Sequence, residues 1–140
     1  MMKKVMMILA MVLIYNCSFA GTPPKVVSDA FAKKFPKATK VSWGKEGPKE
    51  WEAEFTLDGE KISANFGQDG TWLETEQEIK AAKLPKTILA SVKMNYSDWK
   101  IAEADKTETA KHGTIYEVDL KKGLKSKSLA FKPDGTAVKE

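Results

Sequence analysis

Along the middle of the chain apolar and polar residues alternate. Trp51, Ala53, Phe55 and Leu57 are separated by Glu52, Glu54 and Thr56, the period-two pattern of a strand with one buried face. Asp58-Gly59 follows, a two-residue hairpin signal, and Ile62, Ala64 and Phe66 carry the alternation back. Residues 67–70 read as a second turn leading into a strand over 71–78, and Val41 and Trp43 mark an earlier strand. Upstream the period changes. Val27, Ala30, Phe31 and Phe35 recur at helical spacing, with Thr22 as the expected cap, Pro23 and Pro24 in the first turn and Pro36 as the stop. A helix this short is marginal alone, so its apolar stripe has to pack on the sheet.

The same pattern returns further on. Pro24-Lys25-Val26-Val27 matches Pro85-Lys86-Thr87-Ile88 at an offset of 61, and Phe31 and Phe35 fall on Val92 and Tyr96. The offset then becomes 65, which places four extra residues in one loop of the second copy. Residues 51–55 match 116–120, Phe66 meets Phe131, and Asp69-Gly70-Thr71 meets Asp134-Gly135-Thr136. The second copy is expected to hold a helix opened by Pro85 and strands over 100–104, 114–121 and 125–131, with a short last strand from Thr136. The predicted fold class is therefore α+β: a tandem duplication of a helix plus about four antiparallel strands, repeats at about 23–80 and 84–140. One antiparallel sheet would carry both helices on one face.

Strand parity predicts which residues remain on the other face. If Trp51, Ala53 and Phe55 pair with Ile62, Ala64 and Phe66 beneath the helices, then Glu52, Glu54, Lys61, Ser63 and Asn65 point away. The repeat assigns Glu117, Asp119, Ser126 and Ser128 to the same side. Trp51 and Trp99 read as core. Trp43 and Trp72 lie near strand ends or turns, where aromatics serve either core filling or a binding rim. These residues are the candidate protein-binding set, and a merely solvated face explains the same pattern.

The first 20 residues change the picture of where the chain works. Lys3-Lys4, the apolar run Val5 to Tyr15 and Ser18-Phe19-Ala20 are the parts of a secretory signal peptide, with cleavage expected between Ala20 and Gly21. The apolar run is about half the roughly 20 residues that cross a bilayer, so no membrane span is expected in the mature chain of 21–140. Periplasmic or secreted localisation follows. Cys17 offers a rival, lipidation to a membrane-anchored form, although Tyr15-Asn16 before it are not the small residues that chemistry favours. With cleavage after Ala20 the only cysteine departs, and no disulfide remains.

Composition then excludes classes of function. The formal charge of +4 falls by two when Lys3 and Lys4 leave. Every basic residue apart from His112 is lysine, and the missing arginine argues against nucleic-acid or phosphate recognition. His112 is the only histidine, in a Lys111-His112-Gly113 turn, and no serine sits in a Gly-x-Ser-x-Gly elbow. Zinc would need clustered histidine or cysteine, and the mature chain supplies one histidine and no cysteine. Glu74, Glu76 and Glu78, and Glu103, Asp105 and Glu108, are acid-rich stretches without a calcium loop. No catalytic residue, metal or cofactor is expected.

Val41, Trp43, residues 51–55, residues 66–72, Leu84-Pro85 and residues 131–136 together carry a further likeness. With the export signal before them, they resemble the PepSY-like, beta-lactamase-inhibitor-like proteins exported by Bacteroides-type bacteria. The resemblance implies a fold like the beta-lactamase inhibitory protein, whose open sheet can grip another protein. It implies no catalytic residues, and a shared fold does not transfer inhibition. The expected function is an exported, non-enzymatic module that engages a protein or peptide through the sheet, inhibitor-like in manner. The rival is a periplasmic small-ligand-binding or envelope accessory protein with a pocket between helices and sheet.

Overall fold

The computed structural model describes residues 19–138. The basic start, the apolar run and Cys17, on which the export and lipidation expectations rest, lie outside the described residues. No helix among the described residues is long and apolar enough to cross a membrane. The chain is α+β, with two α-helices and antiparallel strands, and it divides into two compact units: 19–78 with 107–113, and 79–106 with 114–138.

In the first unit β1 (Phe19–Ala20), β2 (Thr39–Glu46), β3 (Glu50–Leu57), β4 (Glu60–Gly67) and β5 (Trp72–Glu78) pair antiparallel in chain order. Helix α1 spans Lys25–Lys34. The expected Thr22 cap is not used. Pro23 precedes Pro24 and is thereby kept out of helical geometry, so the helix begins one residue beyond the second proline. The Pro24 carbonyl instead accepts from the amides of Val27 and Ser28, at 2.9 and 3.2 Å. At the far end the Phe35 amide donates to Phe31 O at 2.8 Å, and Pro36 prevents continuation.

The register of the central hairpin is the one that alternation predicts: Trp51 faces Phe66, Ala53 faces Ala64 and Phe55 faces Ile62. Asp58 and Gly59 turn it at φ +51° and +86°, the two left-handed positions that a type I′ turn requires. Val27 and Phe31 of α1 are buried against Trp51, Ala53, Phe55, Ala64 and Phe66, with Ala30, Phe35, Trp43 and Trp72 packed around them.

The second unit holds a 3₁₀ turn at Ala81–Lys83, α2 (Lys86–Asn95), most of β6 (Lys100–Thr109), β7 (Gly113–Lys122) from its second residue on, and β8 (Lys125–Phe131). Pro85 O accepts from Ile88 and Leu89 at 3.0 and 3.1 Å, and Tyr96 N closes the helix on Val92 O at 2.8 Å, as Phe35 does on Phe31. The core is Leu84, Ile88, Val92, Ala104, Val118, Leu120 and Phe131. The expected last strand is a single bridge from Phe131 to Ala137, backed by Val138 N donating to Ala130 O.

The four extra residues do not lengthen a loop. β6 and β7 have 10 residues each where β2 and β3 have 8 each. Two residues added to each arm of a hairpin preserve the inward and outward parity of every other position, which a one-residue insertion would invert.

Candidate functional site

Cross-strand pairing in the first unit sets out rows on the face opposite α1. Gly44, Glu52, Asn65 and Glu74 form one row, and Ser42, Glu54, Ser63 and Glu76 the next. Thr56 and Lys61 close one end of this face, while Glu46 pairs with Glu50 at the other. The structure thus brings together Glu52, Glu54, Lys61, Ser63 and Asn65 as parity predicts. It adds Glu46, Glu50, Glu74 and Glu76, none of which belonged to the candidate set. Glu50 follows from extending the same parity one step back along β3. Glu74 and Glu76 stand out in the sequence as alternating acids on one strand face, but only the register of β5 places them beside Glu52 and Glu54.

Asn65 explains how the acids are held. It is a buried polar residue, 5% exposed, and its Nδ2 donates to Glu46 Oε2 at 2.7 Å. That bond anchors one carboxylate and satisfies an amide that would otherwise be costly to bury. Around it the charges repel. Glu52 is pushed up to about 7, first by burial and then by the charges of Glu46, Glu54 and Glu74. Glu74 is also raised, by burial and then by Glu46 and Glu50, and Glu50 by burial and then by Glu46. Among the described residues no group of three or more His, Cys, Asp or Glu side chains is placed to hold a metal ion.

The Glu52 shift carries a sign. A carboxyl whose folded-state pKa lies above its unfolded value binds the extra proton in the native state, so stability falls as pH rises from about 4.5 to about 7. Glu52→Gln is therefore expected to leave the melting temperature unchanged at pH 5. At pH 8 it should raise it by roughly 4 °C, equivalent to about 1 kcal/mol after discounting the shift for solvent screening of a half-exposed group. Thermal melts of both proteins at the two pH values decide this. Equal gains at both would assign the effect to packing and not to charge.

Trp43 and Trp72 are not part of this face. Trp43 pairs with Ala53 and meets Phe31 edge-on at 5.2 Å, and Trp72 pairs with Phe66. The Lys34 ammonium lies 3.9 Å from the centre of the Trp72 ring, and the indole N–H donates to Thr75 Oγ1 at 2.9 Å. Both tryptophans serve the helix side, because Trp43 is set opposite the inward Ala53 and the register shift into β5 sets Trp72 opposite the inward Phe66.

In the second unit Glu117, Asp119 and Lys121 pair with Ala130, Ser128 and Ser126. The Ser128 hydroxyl donates to Asp119 Oδ1 at 2.5 Å, and Ser126 is exposed. Glu117 shares their parity but is only 9% exposed, so it is an interior residue and not an accessible contact. Glycine 21 donates its amide to Trp43 O at 3.2 Å, just after Phe19–Ala20 pair with Lys45 and Gly44. His112 is exposed in the β6–β7 turn, its backbone N–H donating to Thr109 Oγ1 at 2.8 Å.

Residues 49–139 match the model of a family described as "Putative beta-lactamase-inhibitor-like, PepSY-like", and the chain belongs to that family. Its fold is similar to that of a BLIP-like protein from Bacteroides fragilis, with 25% identity, a TM-score of 0.77 and 85% of each chain covered. A DUF2874 family protein from Bacteroides ovatus gives 24% identity and a TM-score of 0.78, covering 85% of this chain and 86% of that one. A protein from Bacteroides eggerthii, described as one of the "putative periplasmic proteins", gives 18% and 0.77, covering 85% and 88%. No curated protein matches the sequence significantly.

Proposed function

We propose that this chain is an exported, non-catalytic module that binds a protein or peptide through the acidic face of its first unit. The observation that carries the reading is the gathering of Glu46, Glu50, Glu52, Glu54 and Glu74 on one sheet face in a chain whose net charge is positive. Burial first, and repulsion from Glu46, Glu54 and Glu74 after it, works against the charged form of Glu52 there. A basic segment laid across the rows would relieve that repulsion, so the partner that fits best is rich in lysine or arginine. Family membership and the BLIP-like neighbour support binding as the mode of action, and the neighbour described as periplasmic supports export. The lone exposed His112, outside the acidic rows, supports the absence of catalysis.

A tandem origin of the two halves is part of the same proposal. Thr71 N donates to Asp69 Oδ1 at 3.0 Å and Thr136 N to Asp134 Oδ1 at 2.8 Å. Gly67 N to Thr71 O and Lys132 N to Thr136 O close the two turns alike.

Capture from the producing organism's envelope on the exported protein, followed by mass spectrometry, identifies the partner. Glu54 is the residue to reverse, being exposed within the rows. Glu54→Lys is expected to weaken binding at least tenfold while leaving the melting temperature within about 2 °C, as for a surface substitution. Unchanged affinity, with loss instead from Lys33→Glu on α1, would move the working surface to the helix side.

A further inference from the structure

The hairpin joining β7 to β8 turns at Gly123-Leu124, closed by Lys122 opposite Lys125. Gly123, at φ +58°, supplies the left-handed first position of a two-residue turn. Leu124 is 108% exposed, its whole side chain standing in solvent. The turn has no need of leucine. At the matching place 65 residues earlier the chain uses Asp58-Gly59, the ordinary polar solution.

Lysines surround the leucine. Lys121 and Lys122 end β7, Lys125 and Lys127 lie at the start of β8, and all four are exposed. Lys122 directly opposite Lys125 places like charges across the ladder, an arrangement that weakens a hairpin. Asp98 pairs with Lys122, and the Lys127 ammonium leans over the Tyr96 ring at 5.5 Å. Those contacts account for Lys122 and Lys127, but the two-residue turn itself calls for neither Lys121 and Lys125 nor the apolar tip between them.

We propose that this hairpin tip docks on a phospholipid bilayer bearing anionic headgroups, with Leu124 entering the acyl boundary and the lysines lying among the headgroups. A lone exposed leucine is ordinary, and a lysine cluster alone would suit any acidic surface. Their combination fits a surface that is anionic outside and apolar just beneath. Each lysine at an anionic membrane strengthens association by about fivefold. Burying one leucine side chain adds a further factor of about ten or more. The result is weak, reversible and salt-sensitive docking. It leaves the acidic rows of the first unit uninvolved.

The test is co-sedimentation of the exported protein, verified by intact mass to lack the signal peptide and any lipid on Cys17. Vesicles of phosphatidylcholine alone are compared with vesicles of equal parts phosphatidylcholine and phosphatidylglycerol. Binding to the mixed vesicles is expected, falling about tenfold in Leu124→Ser and at least tenfold in Lys121→Gln/Lys125→Gln, with melting temperatures unchanged. No preference for the anionic vesicles overturns the proposal. Retained binding in Leu124→Ser with loss in the lysine variant overturns it too, because the lysines would then be drawn to the headgroups without insertion of the tip.

Discussion

Gly135→Ala is expected to lower the free energy of unfolding by about 2–4 kcal/mol, and Gly70→Ala by a similar amount, whereas Gly59→Ala costs about 1 kcal/mol. All three glycines have φ near +85°, so the conformational penalty of a side chain is common to them. What differs is the space. A Cβ on Gly135 would stand 2.7 Å from the carbonyl oxygen of Thr87, and one on Gly70 2.9 Å from that of Val26. A Cβ on Gly59 meets nothing within 4 Å. Thr87 and Val26 lie in the first turns of α2 and α1, so each obstacle is helix backbone and cannot move like a side chain. Thr87 Oγ1 also donates to Pro133 O at 2.7 Å, tying the second turn to its helix. Urea titrations of the three variants give the ranking. If Gly135→Ala proved no more harmful than Gly59→Ala, the seating of turn against helix would not be the constraint described.

Those contacts show what was legible in the letters and what was not. Asp-Gly-Thr could be read as a turn and matched between the halves, because turn chemistry is local. That its glycine is pressed against a helix carbonyl is a tertiary fact. The central hairpin was legible because period-two alternation and Asp58-Gly59 both demand one register, and a slip would expose Phe55 and Phe66. β6 is only half legible. Its stretch Asp105-Lys106-Thr107-Glu108 is polar enough to pass for a loop, yet the strand runs on to Thr109. In β2, Lys40 at φ +52° and a register shift between Thr39 and Ser42 break the ladder before Trp43, so its inward orientation does not follow from counting. The acidic site was legible on β3 and β4, where parity and register are simple. Assembling Glu46 and Glu74 with Glu52 needed the β2 and β5 registers, and the burial of Glu117 needed the packed second unit.

The larger expected loss is at Phe31. Phe31→Ala should destabilise the protein by about 3–5 kcal/mol, because a large aromatic leaves a cavity that its neighbours fill poorly. The ring is 6% exposed and sits among four others, with centroids at 5.0 Å to Phe55, 5.2 Å to Trp43, 5.5 Å to Phe35 and 6.2 Å to Phe66. The contacts to Phe55, Trp43 and Phe66 are edge-to-face, an arrangement worth about 0.5–1.5 kcal/mol per pair beyond area burial. Phe31→Leu keeps most of the volume and should cost under about 2 kcal/mol. Denaturant unfolding followed by tryptophan fluorescence measures both, since Trp43 reports directly on the neighbourhood of the ring. A cost below about 1.5 kcal/mol for Phe31→Ala would mean that the aromatic cluster collapses into the space and is not a rigid support. The comparison also calibrates the binding experiment. Phe31 holds α1 on the apolar side of the strands whose opposite side carries Glu52, Glu54 and Glu74, so it sets the stability of the acidic face without lying on it. Phe31→Leu should therefore retain the captured partner at near-native affinity despite its lower melting temperature, while Glu54→Lys loses the partner at a native melting temperature.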